Sequence, residues 1–182
     1  MPSVEELHEA FRVYFEEIER CRVGDCYWAL LHVVVSLPDI CSALESENGW
    51  ATEKKYVKWC TDYCPAGLPT PEEYREIRDR VLHQGQTRTK AGRFYKFTKP
   101  TPRGGRVHRL VYGSDVVVLD VGELANEIVA GIEKWFRALQ QPAAKDRRAN
   151  VRKNLPTLVT VKEQEMPGIS GVTFSVTHTS TG

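Results

Sequence analysis

The chain has 182 residues, of which 41% are hydrophobic and 27% charged, and its formal net charge is +1. This length and apolar content are enough for one domain with a buried core, which excludes a chain that is disordered throughout. The longest apolar run, residues 27–37, is too short to span a bilayer, and the first twenty residues lack the apolar stretch of a signal peptide. We therefore expect a soluble, cytoplasmic protein with no membrane partner.

Two helices are predicted at the start of the chain. Ser3 and Glu6 form a capping box, and apolar residues then recur at helical spacing until Gly24. Asp25 opens the next element, residues 26–44, which is apolar on nearly every face. We expect this second helix to be the centre of the core, with Pro38 kinking or restarting it.

Two further helices follow, and the second of them ends at an unusual segment. Thr52 begins a short third helix, which residues 65–67 end. Thr70 and Pro71, followed by two glutamates, are typical of the N-terminus of a fourth helix. That helix is predicted to run to about His83, with Gly85 as its C-cap.

Alternating apolar residues then replace the helical period. They cover residues 94–97, 107–112 and 116–119, with turns at 102–105 and 113–115, and predict a small β-meander at about 93–120. A fifth helix over 121–139 returns to the bundle. We expect a mainly α domain over residues 1–141, followed by a basic linker and tail over 142–182. The part 142–156 is expected to be flexible, and residues 158–179 are either tail or a peripheral hairpin.

Basic residues are concentrated after the fourth helix. Residues 80–114 contain nine Arg or Lys and no Asp or Glu, whereas the first helix is rich in Glu. Aromatic residues are mixed into this run, so it could neutralise phosphates and stack on the bases of single-stranded RNA. The alternative is a solvated edge hairpin. The candidate RNA-binding residues are Arg80, Arg88, Lys90, Arg93, Tyr95 and Lys96.

Neither the cysteines nor the other histidines indicate a second site. Five cysteines, scattered except for the C-x3-C pair at 60 and 64, indicate free thiols in a reducing compartment rather than a disulfide framework or a zinc site. We expect no metal and no cofactor. His32 is interpreted as a core histidine with a hydrogen-bond partner, Asp39 as a cap of the restarted helix, and His108 as surface charge.

The segment 78–83 contains the reagents for cutting RNA without a metal. Arg78 can hold a phosphate, and His83 can move a proton near neutral pH. Both are needed when the 2′-hydroxyl of RNA attacks the adjacent phosphate and cuts the chain. The two residues are about 140° apart around a helix. They diverge too far to form a compact site alone, so we expect a site shared with a second protomer.

This segment resembles the motif of the HEPN domains of prokaryotic defence and toxin systems. Arg78, the polar Asp79, three further residues and His83 match the pattern of the catalytic members. The resemblance covers roughly residues 3–140. The sequence around it, from Tyr74 to Gly85 and at 37–41, is similar to that of a group of small uncharacterised bacterial proteins of this class.

The resemblance implies an antiparallel helical bundle and a homodimer in which two motifs face each other. It implies a toxin or antiviral-defence endoribonuclease acting on single-stranded RNA, and an antitoxin protein as a further partner. Arg78 would position the phosphate and His83 would supply general acid or base assistance, with Asp79 as part of the motif. Some members have a Tyr where this chain has Gly85, so regulation by modification there is not expected. The alternatives are a catalytically silent HEPN-like module that binds a nucleotide, RNA or protein, and a purely structural interaction protein.

Overall fold

The computed structural model describes residues 2–100 and 107–158, which form a mainly helical fold with one small sheet. The mainly α class predicted from the sequence is confirmed. The predicted turn at 102–105 and the tail beyond 158 lie outside the described residues. The helices are α1 (Val4–Val23), α2 (Tyr27–Leu44), α3 (Glu53–Tyr63), α4 (Pro71–Gln84), α5 (Val121–Leu139) and α6 (Lys145–Asn154). The strands are β1 (Phe94–Thr98), β2 (Leu110–Tyr112) and β3 (Val116–Asp120).

The predicted helix caps are confirmed at three N-termini. Ser3 Oγ accepts from the Glu6 amide at 3.1 Å, and Ser3 N donates to Glu6 Oε2 at 2.7 Å. The same reciprocal pair joins Thr70 and Glu73 at the start of α4. Thr52 caps α3 by accepting from the Lys55 amide. These bonds satisfy amides that have no partner inside the helix, which is why the starts were predictable.

Helix α2 is the centre of the core and packs against α1, α3, α4 and α5. It runs unbroken through Pro38, so the predicted restart is wrong, and its N-cap is Cys26 rather than Asp25. Burial of Leu37 and Cys41 on either side of Pro38 offsets the roughly 3 kcal/mol that a proline costs inside a helix. By length and composition α2 could cross a membrane, but half of it is buried inside the fold, as in the core helix of a soluble protein.

The sheet has the strand order β1-β3-β2, which corrects the predicted meander. Strands β2 and β3 form the expected antiparallel hairpin, whereas β1 pairs parallel with β3. Tyr95, Val117 and Leu119 are fully buried against the bundle. Strand β3 is more apolar than β1 and β2, and it occupies the centre of the sheet. Strand β2, whose residues are all exposed, lies at an edge.

The prediction that residues 142–156 are flexible is wrong, because this segment forms a short 3-10 turn and then α6. Val151 is fully buried, and Arg148 and Asn154 are nearly so. Arg148 Nη1 donates to the carbonyls of Leu139 and Gln141, both at 2.8 Å, and so caps the end of α5. Helix α6 therefore docks through polar side chains that bind backbone carbonyls, and its sequence has too few apolar residues to reveal this.

Candidate functional site

The candidate motif lies on the second half of α4. Tyr74, Ile77 and Val81 are buried at helical spacing and fix this helix against the bundle. Gly85, in the left-handed conformation at φ 61°, ends the helix and donates its amide to the Arg80 carbonyl. The prediction that residues 78–83 occupy the last turns is confirmed.

Arg78 is held by two carboxylates. Its Nη1 donates to Asp79 Oδ1 at 2.8 Å, and its Nη2 forms an ion pair with Asp39 of α2. The predicted capping role of Asp39 is therefore wrong, since this carboxylate binds the candidate catalytic arginine. The Arg78 side chain is 22% exposed and that of Asp39 16%, so the pair is partly screened from water.

Asp79 extends this contact into a row of alternating charges. It also pairs with Arg75, whose guanidinium lies 5.7 Å from the centre of the Tyr56 ring. We call Asp39, Arg78, Asp79 and Arg75 the charged row. Sequence reasoning missed Arg75, although its position three residues before Arg78 places it on the same side of a helix.

Three members of the charged row, Asp39, Arg75 and Arg78, line one wall of a pocket of about 340 Å³. The opposite wall is the connection between α2 and α3, where Trp50 is 74% exposed and Thr52 and Glu53 begin α3. Trp50 is the second residue of this site that the sequence reasoning missed. A tryptophan in a polar connection directly after a glycine was the available signal.

Helix α6 fixes the connection that carries Trp50. Asn154 Nδ2 donates to the carbonyls of Leu44 at 3.0 Å and Ser46 at 2.7 Å, and Asn150 and Lys153 bind the two carbonyls of residues 45 and 47. Gly49 has φ 74°, and a Cβ there would lie 3.3 Å from Asn154 Oδ1. The pocket rim is thus held by specific contacts. Glycine at position 49 suits both the left-handed backbone angle and the close approach of Asn154.

Replacing Asn154 with alanine is expected to lower the free energy of unfolding by about 1–3 kcal/mol, because two buried carbonyls lose their donor. Urea unfolding followed by circular dichroism measures the change. Asn150→Ala removes a single bond, to the Glu45 carbonyl, and is the smaller matched change. An Asn154→Ala variant as stable as the unsubstituted protein would show that α6 is not held by this contact.

His83 does not join the pocket within one protomer. Its side chain is exposed at the end of α4, and within residues 2–100 and 107–158 it makes no hydrogen bond, ion pair or ring contact. It is also absent from the lining that contains Arg78. The requirement for a second protomer, inferred from the angle between the two residues, stays a prediction.

Four of the predicted RNA-binding residues lie at the surface or near it. Arg80 donates to Gln86 Oε1 at 3.3 Å, and Arg88 Nε donates to the Gly92 carbonyl at 3.4 Å. The Lys90 backbone amide donates to Glu76 at 2.6 Å, and Lys96 is exposed on β1. All four side chains remain compatible with phosphate contacts.

Arg93 and Tyr95, the other two predicted RNA-binding residues, connect β1 to α4. Both bind Glu73, with Tyr95 Oη donating to Glu73 Oε2 at 2.8 Å and Arg93 Nη1 contacting Oε1. Tyr95 has no exposed surface, so its ring cannot stack on a base in this fold, and that prediction is wrong. Together these contacts join β1 to the start of α4.

His108 is a structural residue and not surface charge, which corrects the sequence interpretation. Its Nδ1 accepts from the Asp120 amide at 3.2 Å, and its Nε2 lies 3.2 Å from Glu127 Oε1. The neighbouring Arg109, at φ 58°, forms two hydrogen bonds with Glu127 and donates to the Leu68 carbonyl at 2.9 Å. His32 has the expected hydrogen-bond partner, the Trp28 carbonyl at 2.8 Å, but it is only half-buried and is not a core residue.

Searches for similar proteins found no matching family model, no similar curated protein and no similar solved structure. All five cysteines are free. In the part of the chain that the structure describes, no three His, Cys, Asp or Glu side chains converge to hold a metal ion. The residues of α4 and of the pocket beside it are therefore the features that bear on function.

Proposed function

We propose that this protein is a metal-independent endoribonuclease of HEPN type that acts on single-stranded RNA as a cytoplasmic homodimer. The observation that carries the proposal is the pairing, on one short stretch of α4, of an oriented arginine with an exposed histidine that lacks a described partner. The biological setting implied by the sequence resemblance is a toxin or phage-defence effector, with or without an antitoxin protein.

The chemistry requires charge neutralisation and proton movement. The 2′-oxygen of one nucleotide forms a bond to the adjacent phosphorus, and the bond from phosphorus to the 5′-oxygen of the next nucleotide breaks. Arg78 stabilises the charge that develops on the phosphate oxygens, and His83 of the facing protomer moves a proton at one of the two reacting oxygens. Asp39 keeps Arg78 oriented while the phosphate displaces the more exposed Asp79, which is 42% accessible.

A second candidate function is a catalytically silent module that binds RNA, a nucleotide or a protein. The observation in its favour is that both terminal nitrogens of Arg78 already have carboxylate partners. An arginine so engaged can be a structural element of the bundle. The two functions differ in whether an RNA chain is cut.

Cleavage without metal tests the proposal. Purified protein is incubated with a labelled single-stranded RNA in EDTA, beside Arg78→Ala, His83→Ala and, as a matched loss of one surface arginine, Arg137→Ala. We expect the unsubstituted protein and Arg137→Ala to cut the RNA and the other two variants to be inactive. If all four proteins cut equally, or none cuts, the nuclease proposal is wrong. RNA binding without cleavage would support the silent module.

A further inference from the structure

Trp50 is exposed to an extent that its packing does not explain. It is 74% exposed, whereas Trp59 and Trp135 are 2% and 0% exposed. An indole left in water forgoes roughly 2 kcal/mol or more of burial free energy. The connection that presents it is nevertheless held in place by Asn154 and by the left-handed Gly49. The connection thus presents the indole at the rim of the pocket beside Arg78, where a ligand can reach it.

The neighbours of Trp50 define what kind of ligand suits it. The same pocket is lined by the guanidinium groups of Arg75 and Arg78 and by the carboxylates of Asp39 and Glu53. A ring platform beside guanidinium donors matches a base joined to a phosphate. Both arginines pair with Asp79, and Arg78 also pairs with Asp39, so a phosphodiester reaches them by displacing the more exposed Asp79. The carboxylates that line the pocket can accept from base amino groups.

Arg75 provides a donor for that phosphate. Its Nη1 pairs with Asp79, and its Nε is buried, which leaves Nη2 as the remaining donor of the guanidinium. The Tyr56 ring beneath it, itself anchored by a bond from its hydroxyl to the Val35 carbonyl at 3.1 Å, limits its motion. The pocket volume of about 340 Å³ is at the low end for ligand sites and fits one nucleotide.

We propose that Trp50, Arg75 and Arg78 bind one nucleotide of single-stranded RNA, with the base stacked on the Trp50 indole and the phosphate against the two arginines. The inference deepens the proposed function, on which it rests for the choice of RNA, because it places one substrate nucleotide directly beside Arg78. It concerns binding alone, so it can be tested with an RNA that the protein cannot cut.

The probe is a short fluorescein-labelled single-stranded RNA with 2′-O-methyl groups throughout, which lacks the attacking hydroxyl. Fluorescence anisotropy gives the affinity of the full chain and its variants. Trp50→Ala is expected to weaken binding about tenfold or more, as one lost base stack does, and Trp50→Phe to retain most of it. Trp28→Ala, which removes the other strongly exposed tryptophan at 57%, is the matched control and is expected to bind normally.

Tryptophan emission supplies a second measurement that does not need an alanine variant. The probe is expected to quench emission of the unsubstituted protein and of Trp28→Phe, and to lose most of this effect in Trp50→Phe. Absence of binding by the unsubstituted protein, or equal binding by Trp50→Ala, would overturn the inference.

The two proposals can fail separately. Loss of binding in Trp50→Ala without any RNA cleavage by the unsubstituted protein keeps the nucleotide site and removes the nuclease. Cleavage that depends on His83, together with unchanged binding in Trp50→Ala, keeps the nuclease and removes this site.

Discussion

Alanine at His83 is expected to slow RNA cleavage by about 10²–10⁴-fold, the range that a positioned acid or base contributes. The side chain is exposed and makes no hydrogen bond, ion pair or ring contact with the described residues, so its loss leaves the fold unchanged to within about 0.5 kcal/mol. Single-turnover rates and urea unfolding of the same preparation separate the two effects. A variant that cuts RNA at the original rate would remove His83 from the mechanism.

A mixture of two inactive variants distinguishes a shared site from a solitary one. If Arg78 and His83 act across a dimer, then hybrids of Arg78→Ala and His83→Ala protomers retain one of each residue on the same site. We expect the refolded mixture to recover a measurable part of the original rate, while each variant alone stays inactive. No recovery in a mixture shown by mass to contain dimers would contradict the shared site.

Replacing Glu73 with alanine is expected to lower the free energy of unfolding by roughly 3–5 kcal/mol, the cost of removing one partner from a buried charged network. Glu73 is 4% exposed, and its carboxylate accepts from Tyr95 Oη and from the Thr70 amide while pairing with Arg93. All three donors lose their partner at once. Glu72→Ala, in the same first turn but exposed, is the control and is expected to cost under about 1 kcal/mol.

The same carboxylate makes stability depend on acid. Burial raises the pKa of Glu73, but the hydrogen bonds from Thr70, Tyr95 and Arg93 outweigh it and hold the pKa below its ordinary value. Because the folded pKa is the lower one, the contribution is complete above the unfolded value of about 4.3 and is lost as the pH falls through the folded value. We expect Glu73→Gln to lose less stability than the unsubstituted protein on acidification below about pH 4. Equal losses, measured as urea midpoints, would contradict this.

Local signals in the sequence predicted the helix ends well, because capping residues and C-terminal glycines act within their own helix. The Thr70 and Glu73 pair and the left-handed Gly85 bound α4, because caps and C-terminal glycines depend only on their own helix. Helix α6 escaped prediction because its docking depends on Asn154 and Arg148, whose partners are carbonyls elsewhere in the chain. Alternation predicted three strands but says nothing of which strands are neighbours.

The candidate site was predictable only in part, for the same reason. The place of Arg78 and His83 at the end of a helix follows from local spacing. The ion pair between Arg78 and Asp39 joins two helices, and no local pattern encodes it. Tyr95 was predictable in hindsight: on a strand with period two it shares a face with Phe97 and not with Lys96, and that face is the one turned to the bundle.

The bonds between α6 and the connection after α2 also set an order of events during synthesis. Asn150, Lys153 and Asn154 follow the carbonyls they bind by 105 to 110 residues. A nascent chain therefore exposes the candidate pocket wall at 46–50 long before the helix that fixes it has left the ribosome. Contacts at such separation form late because the intervening chain must first be ordered. The pocket beside Arg78 should accordingly be among the last parts of the molecule to take its final shape, after the α1–α5 core has formed.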